Sequence, residues 1–139
     1  MFVYAVLLAA TAVVALSWLA RRLLVVVTVD GHSMAPQYLP GDRLLALRRA
    51  GRAGTGDVVV FAWLRAGVGP LVKRVAAMPG EPVPQPARDA CGSTPVPSGH
   101  AVVIGDGPGS VDSREWGLLP LDRITAVVVI RLGGPTDPR

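Results

Sequence analysis

The sequence predicts a mostly β fold, a compact β domain preceded by one N-terminal transmembrane helix. Three observations carry that prediction. Residues 2–20 hold no charged side chain and are rich in Ala, Val and Leu. From residue 23 onward the chain breaks into short β-branched runs separated by Gly, Pro and Asp. No amphipathic helical pattern lies between those runs, which is the signature of a sandwich or barrel.

The apolar run meets the length of about 20 residues that a helix needs to cross a bilayer. Tyr4 and Trp18 sit near its two ends, where aromatic side chains favour the interface. A cleaved signal peptide would carry positive charge ahead of a shorter apolar segment, and no Lys or Arg precedes this one. A helix apolar on every side suits a membrane span better than the core helix of a chain with only a modest core. The reading is therefore an uncleaved, single-pass anchor over residues 1–22 in the cell membrane. Arg21-Arg22 directly after the run would tend to hold the β domain in the cytoplasm.

Predicted strands cover residues 24–29, 43–47, 57–63, 70–77, 100–104 and 124–132. Each is bounded by turn chemistry, as at Pro40-Gly41-Asp42, Gly54-Thr55-Gly56, Gly67-Val68-Gly69 and Met78-Pro79-Gly80. Residues 81–99, with five prolines and the single Cys91, read as a surface loop. The domain is expected to span residues 23–134, with residues 135–139 as a flexible tail.

Composition excludes several functions. Fourteen Lys and Arg face ten Asp and Glu, and Lys73 is the one lysine among them. The basic groups Arg21-Arg22 and Arg48-Arg49-Arg52 are not interleaved with aromatics, so anionic lipid suits them better than nucleic acid. One cysteine permits no internal disulfide, and two scattered histidines make no zinc site. Neither a metal nor a cofactor is expected.

The chemistry centres on Asp30-Gly31-His32-Ser33-Met34-Ala35-Pro36, at the end of the first predicted strand. Gly31 frees the backbone beside Ser33, and Pro36 stiffens the exit. Alone, this is an ordinary strand-to-turn serine. Lys73 answers to it. In an extended segment Leu71, Lys73 and Val75 share one face, so the amine is flanked by aliphatic groups. A lysine near its reference pKa of about 10.4 is rarely neutral at pH 7, and desolvation lowers that value. A neutral amine can deprotonate a serine hydroxyl, whereas arginine stays charged. A third cluster is Gly105-Asp106-Gly107 through Ser110-Val111-Asp112-Ser113-Arg114. If extended, it places Ser110, Asp112 and Arg114 on one side, with Asp112 and Arg114 as an ion pair and Ser110 near the lysine. Taken singly, each of these residues also suits a polar turn.

Together the blocks resemble the type I signal peptidase family of membrane-anchored Ser/Lys proteases. The likeness rests on Gly31-x-Ser33-Met34-x-Pro36, Gly41-Asp42, Lys73-Arg74-Val75 with Pro79-Gly80-Glu81, and Gly105-Asp106 through Ser110-x-Asp112-Ser113-Arg114-x-x-Gly117. It implies Ser33 as acylating nucleophile, Lys73 as general base and Ser110 as the hydroxyl that positions Lys73. Asp112 and Arg114 are implied as structural support, and Gly31, Met34 and Pro36 as framing residues. It also implies a substrate bound as an added strand, precursor proteins with signal or leader peptides as partners, and cleavage after small residues. The implied location of the catalytic domain is extracytoplasmic, against the pull of Arg21-Arg22.

Three positions depart from the family pattern. Gly107 stands where the family usually has Asn, in a stretch one residue short of the usual length, and an altered loop is expected there. Gln37-Tyr38-Leu39 replaces the usual Thr-Leu after Pro36. Gly31 lacks the hydroxyl some members use toward the oxyanion, leaving backbone N–H groups such as that of Ser33. Only 24 residues separate Gly80 from Gly105, which resembles the compact mitochondrial inner-membrane peptidases and nickel-type superoxide dismutase maturation proteases. A dedicated maturation protease is thus the alternative enzyme reading. A membrane-tethered β module that only binds peptides is the non-catalytic one, and it has no need of Ser33, Lys73 and Ser110 together. Self-cleaving repressors also use Ser and Lys but carry a DNA-binding domain in place of the anchor.

Overall fold

The structure is a computed structural model that describes residues 1–48, 53–63, 69–92 and 94–134. Arg49 and Arg52 of the basic cluster, Gly67-Val68 of one turn, and the tail 135–139 lie outside the described residues.

Helix α1 (Phe2–Leu23) has no buried residue. It is long and apolar enough to cross a membrane. The guanidinium of Arg22 lies 4.5 Å from the Trp18 ring centroid, a cation–π contact within its last turn. The helix passes directly into strand β1 (Leu24–Thr28), because Leu24 already has extended backbone angles (φ −115°, ψ 145°). The Val25-Val26-Val27-Thr28 run explains the switch, since β-branched side chains pack well on a pleated surface.

The remaining strands are β2 (Arg43–Leu47), β3 (Val58–Phe61), β4 (Leu71–Ala77), β5 (His100–Ile104), β6 (Leu119–Pro120) and β7 (Ile124–Gly133). Among the described residues they form one curled sheet, in the order β1-β2-β7-β3-β4-β5-β6, with every pairing antiparallel. The mostly β prediction is met. Six strands fall where the sequence places them, and β6 is new. It is two residues long and contains a proline, so nothing local announces it.

Strand β3 shows how the core is laid out. All four of its residues are buried, so both of its faces are covered. Val58 and Val60 join Leu44, Ala46, Val72 and Met34 on one face. Val59 and Phe61 join Val75, Val103, Leu119 and Ile124 on the other. Lys73 pairs with Val59 across the sheet and shares the second face with Leu71 and Val75, as the alternation in the sequence requires.

Residues 81–92 and 94–99 are more than a surface loop. They form a 3-10 turn (Gln85–Ala87) and helix α2 (Arg88–Cys91), and they bury Val83, Ala87, Cys91 and Val96 against Ala77 and Val102. Val83, Ala87 and Cys91 recur every four residues, a helical stripe that five prolines disguise. Cys91 is therefore a core residue rather than an exposed thiol. The segment after Ser110 is likewise not extended throughout, because Ser113–Trp116 forms helix α3. Asp112 caps that helix by accepting from the Arg114 N–H, an arrangement aspartate favours at a helix start.

Candidate active site

Ser33 sits on a loop whose two ends are tied together. The Val29 N–H donates to the Asp42 carbonyl at 2.8 Å, and the Gly41 N–H donates to the Val29 carbonyl at 2.8 Å. Asp42 is fully buried, and its Oδ2 accepts from the Leu39 N–H at 2.9 Å. Its Oδ1 lies 3.0 Å from Arg131 Nη2 on β7, a charge contact without hydrogen-bond alignment. Met34 anchors the loop from beneath, being buried in the core beside Val29 and Leu44. Gly31 has φ +79° with open space around its missing Cβ. The backbone angle, more than closeness to a neighbour, is what calls for glycine there. Pro36 follows a cis peptide bond and is exposed.

Lys73 is only 3% exposed. Its Nζ donates to Ser110 Oγ at 2.8 Å, and Ser110 Oγ donates to Asp112 Oδ2 at 2.8 Å. A hydroxyl has a single proton, so Ser110 serves the lysine only as an acceptor. Asp112 is fully buried and also accepts from the Gly105 N–H at 2.8 Å. Arg114 closes on both of its oxygens, Nε to Oδ1 at 2.9 Å and Nη2 to Oδ2 at 2.8 Å. The sequence grouping of Ser110, Asp112 and Arg114 is thus present, though Asp112 reaches Arg114 as a helix cap. Ser113 pins α3 to β5 by accepting from the Val103 N–H at 3.0 Å.

The electrostatics reflect this shell. Burial lowers the Lys73 pKa; the Asp112 charge opposes that shift, and Arg114 assists it. For Asp112 burial pushes upward, but the bonds from Arg114, Gly105 and Ser110 win and hold it at about 2. Asp112 is therefore ionised throughout the physiological range, and its charge is shared with Arg114 before it is felt at Lys73.

Ser33 and Lys73 face one cavity of about 560 Å³, together with Ser110. Ser33 also borders a second cavity of about 420 Å³, lined by β1 from Val25 to Thr28, by Val29 and Met34, and by Gly69 to Val72 at the start of β4. Strand β1 ends the sheet order, so its outer edge borders this groove.

Two glycines that read as plain turn residues hold the site together. The Gly107 N–H donates to the Ser33 carbonyl at 2.9 Å. A Cβ on Gly107 would stand 2.1 Å from the His32 carbonyl oxygen. The loop at Gly107 thus lies directly on the backbone of the serine loop, which leaves no space for a side chain without a shift. A Cβ on Gly105 would meet Ser110 Oγ at 2.1 Å and the Ser33 carbonyl oxygen at 2.5 Å. Arg74 also spans these elements. It pairs with Asp106 at 2.6 Å, donates to the Gly56 carbonyl at 2.8 Å, and reaches Gln37 of the serine loop. Sequence reasoning missed all three contacts, and only the Gly-rich run at 105–109 hinted at close backbone approach.

Fold and site define a β domain, carried on an apolar N-terminal helix, that presents a serine and a buried lysine to one cavity. The chain belongs to the family described as signal peptidase, peptidase S26, whose model matches residues 2–88. The match spans α1 to β4 and includes Ser33 and Lys73, while Ser110, Asp112 and Arg114 lie beyond its end. The family makes this a signal-peptidase-like protease with precursor proteins as substrates. No curated protein matches the chain.

Proposed function

We propose that the chain is a membrane-anchored serine endopeptidase that removes signal or leader peptides with a Ser33–Lys73 dyad. The carrying observation is the buried Lys73 amine, held by Ser110 and opening onto the cavity that Ser33 also faces. In this reading neutral Lys73 takes the Ser33 hydroxyl proton as Oγ attacks the substrate carbonyl carbon. Backbone N–H groups of the serine loop receive the oxyanion. Protonated Lys73 then gives its proton to the departing amine, leaving an acyl-Ser33 ester. Water, deprotonated by Lys73, hydrolyses that ester. Ser110 holds one amine N–H and so fixes the direction of the Nζ lone pair. The groove beside β1 suits the acyl half of the substrate, bound as an added strand on an open edge. Its valine and methionine walls favour small apolar side chains next to the cut.

Purified protein in micelles, assayed against a precursor peptide over pH, tests the dyad. Burial lowers the Lys73 pKa, so kcat/KM is expected to rise with pH and to fall on the acid side as the amine gains its proton. Arg114→Gln removes a charge that lowers the Lys73 pKa. The acid limb is therefore expected to move to higher pH. An unmoved limb, or a move to lower pH, would contradict the assignment of that limb to Lys73.

We further propose that residues 1–22 anchor the chain, that residues 23–134 form the catalytic domain, and that this domain lies outside the cytoplasm. The direct passage from α1 into β1 would hold Ser33 near the bilayer, where tethered precursors are concentrated. Val26, Leu45 and Ile130 pair across β1, β2 and β7, and Val26 and Ile130 are exposed, so the domain offers apolar surface close to the anchor. Because Cys91 is buried, topology is best read with an added thiol at the exposed Ser98. An impermeant thiol reagent is expected to label Ser98→Cys on intact cells, with Cys91 reacting only after unfolding. Labelling that requires lysis would instead favour a dedicated maturation protease with a cytoplasmic precursor.

A further inference from the structure

Ser33 borders two cavities, and Lys73 lines only one of them. If the dyad reading holds, on which this inference rests, that asymmetry assigns direction to the substrate. The group that protonates the departing amine must lie beside it. The new amino terminus therefore leaves through the cavity that contains Lys73, and the acyl half occupies the groove beside β1.

The walls of the leaving-side cavity are distinctive. Trp63 and Trp116 stand with ring centroids 4.2 Å apart at 36°, and Phe61 of the core backs Trp116 at 6.2 Å. Leu71 and Val111 add aliphatic surface, and Glu115 is the one carboxylate among the described lining residues. The stacked pair cover one face of each other, and the parts of both indoles that remain on the cavity wall stand beside a carboxylate, a lining that suits a cation, while the aliphatic surface accommodates the stem of a long basic side chain. His32 and Lys73 are the other ionisable groups on the lining. Lys73 is occupied with Ser110, and burial disfavours its charge in the resting site. We infer that this cavity is the subsite for the first residue after the scissile bond, and that it selects a basic side chain there.

Two measurements on the full chain in micelles test this. The first is kcat/KM for one peptide with Arg, Leu or Asp immediately after the cut. Arg is expected to exceed Asp by about tenfold, and Glu115→Gln to narrow that ratio. The second needs no turnover. In a Ser33→Ala, Trp18→Phe background the emission of Trp63 and Trp116 is followed as short fragments with free amino termini are added. An Arg-led fragment is expected to change the emission at lower concentration than an Asp-led one. Equal kcat/KM for Arg and Asp, or equal responses to the two fragments, would overturn the inference. If no peptide is cut above the Ser33→Ala background, the protease reading fails, and the emission comparison alone decides whether the cavity selects a basic terminus.

Discussion

Ser33→Ala and Lys73→Arg are each expected to lower kcat/KM by roughly 10⁴-fold or more while the protein stays folded. The serine variant loses the attacking oxygen but little packing, because the loop is held by Met34 and Asp42 rather than by the hydroxyl. The lysine variant isolates basicity. Arginine keeps much of the stem but stays protonated where a neutral amine is needed, so it cannot become a base. Cleavage assays beside thermal unfolding check both. Substantial turnover by folded Lys73→Arg would contradict the dyad.

Gly105→Ala is expected to have the next largest effect, smaller than either dyad variant and without touching either member of the dyad. The added methyl would occupy space 2.1 Å from Ser110 Oγ and 2.5 Å from the Ser33 carbonyl oxygen. Contacts this short cannot persist, so the serine loop and the Ser110 turn must separate. Overpacking of this kind costs roughly 1–3 kcal/mol. A displacement of about 1 Å between reacting groups costs on the order of 10²-fold in rate. The expected result is a lower Tm together with a kcat loss of that order. Wild-type kcat in Gly105→Ala would mean that the contact between the two loops does not position the site.

Much of the fold is legible because its strands are β-branched runs closed by Gly, Pro or Asp, and six of those runs became strands. Lys73 stands out through the aliphatic residues two positions away on either side, and the sheet buries that same face. Other features leave weaker traces. Prolines between residues 81 and 99 hide the stripe of Val83, Ala87 and Cys91. Asp112 reads as part of an extended segment, although aspartate one residue before Ser113 is also a helix start. The contacts from Arg74 to Gln37, Asp42 to Arg131, and Gly107 to Ser33 join positions far apart in sequence. No local periodicity reports such pairs. Trp63 and Trp116 meet for the same reason, brought together by the cluster around Phe61.

The most direct measurement of the proposed chemistry is the pH dependence of cleavage after the base itself has been rebuilt. Lys73→Cys, in a Cys91→Ala background, removes the amine, and aminoethylation of the new thiol restores it on a side chain with sulfur in place of one methylene. Sulfur withdraws electrons and makes the amine less basic. The expected result is an inactive cysteine variant, recovery of cleavage on alkylation, and an acid limb displaced to lower pH than in the unmodified protein. Recovery with the acid limb unmoved, or full activity before alkylation, would contradict Lys73 as the base.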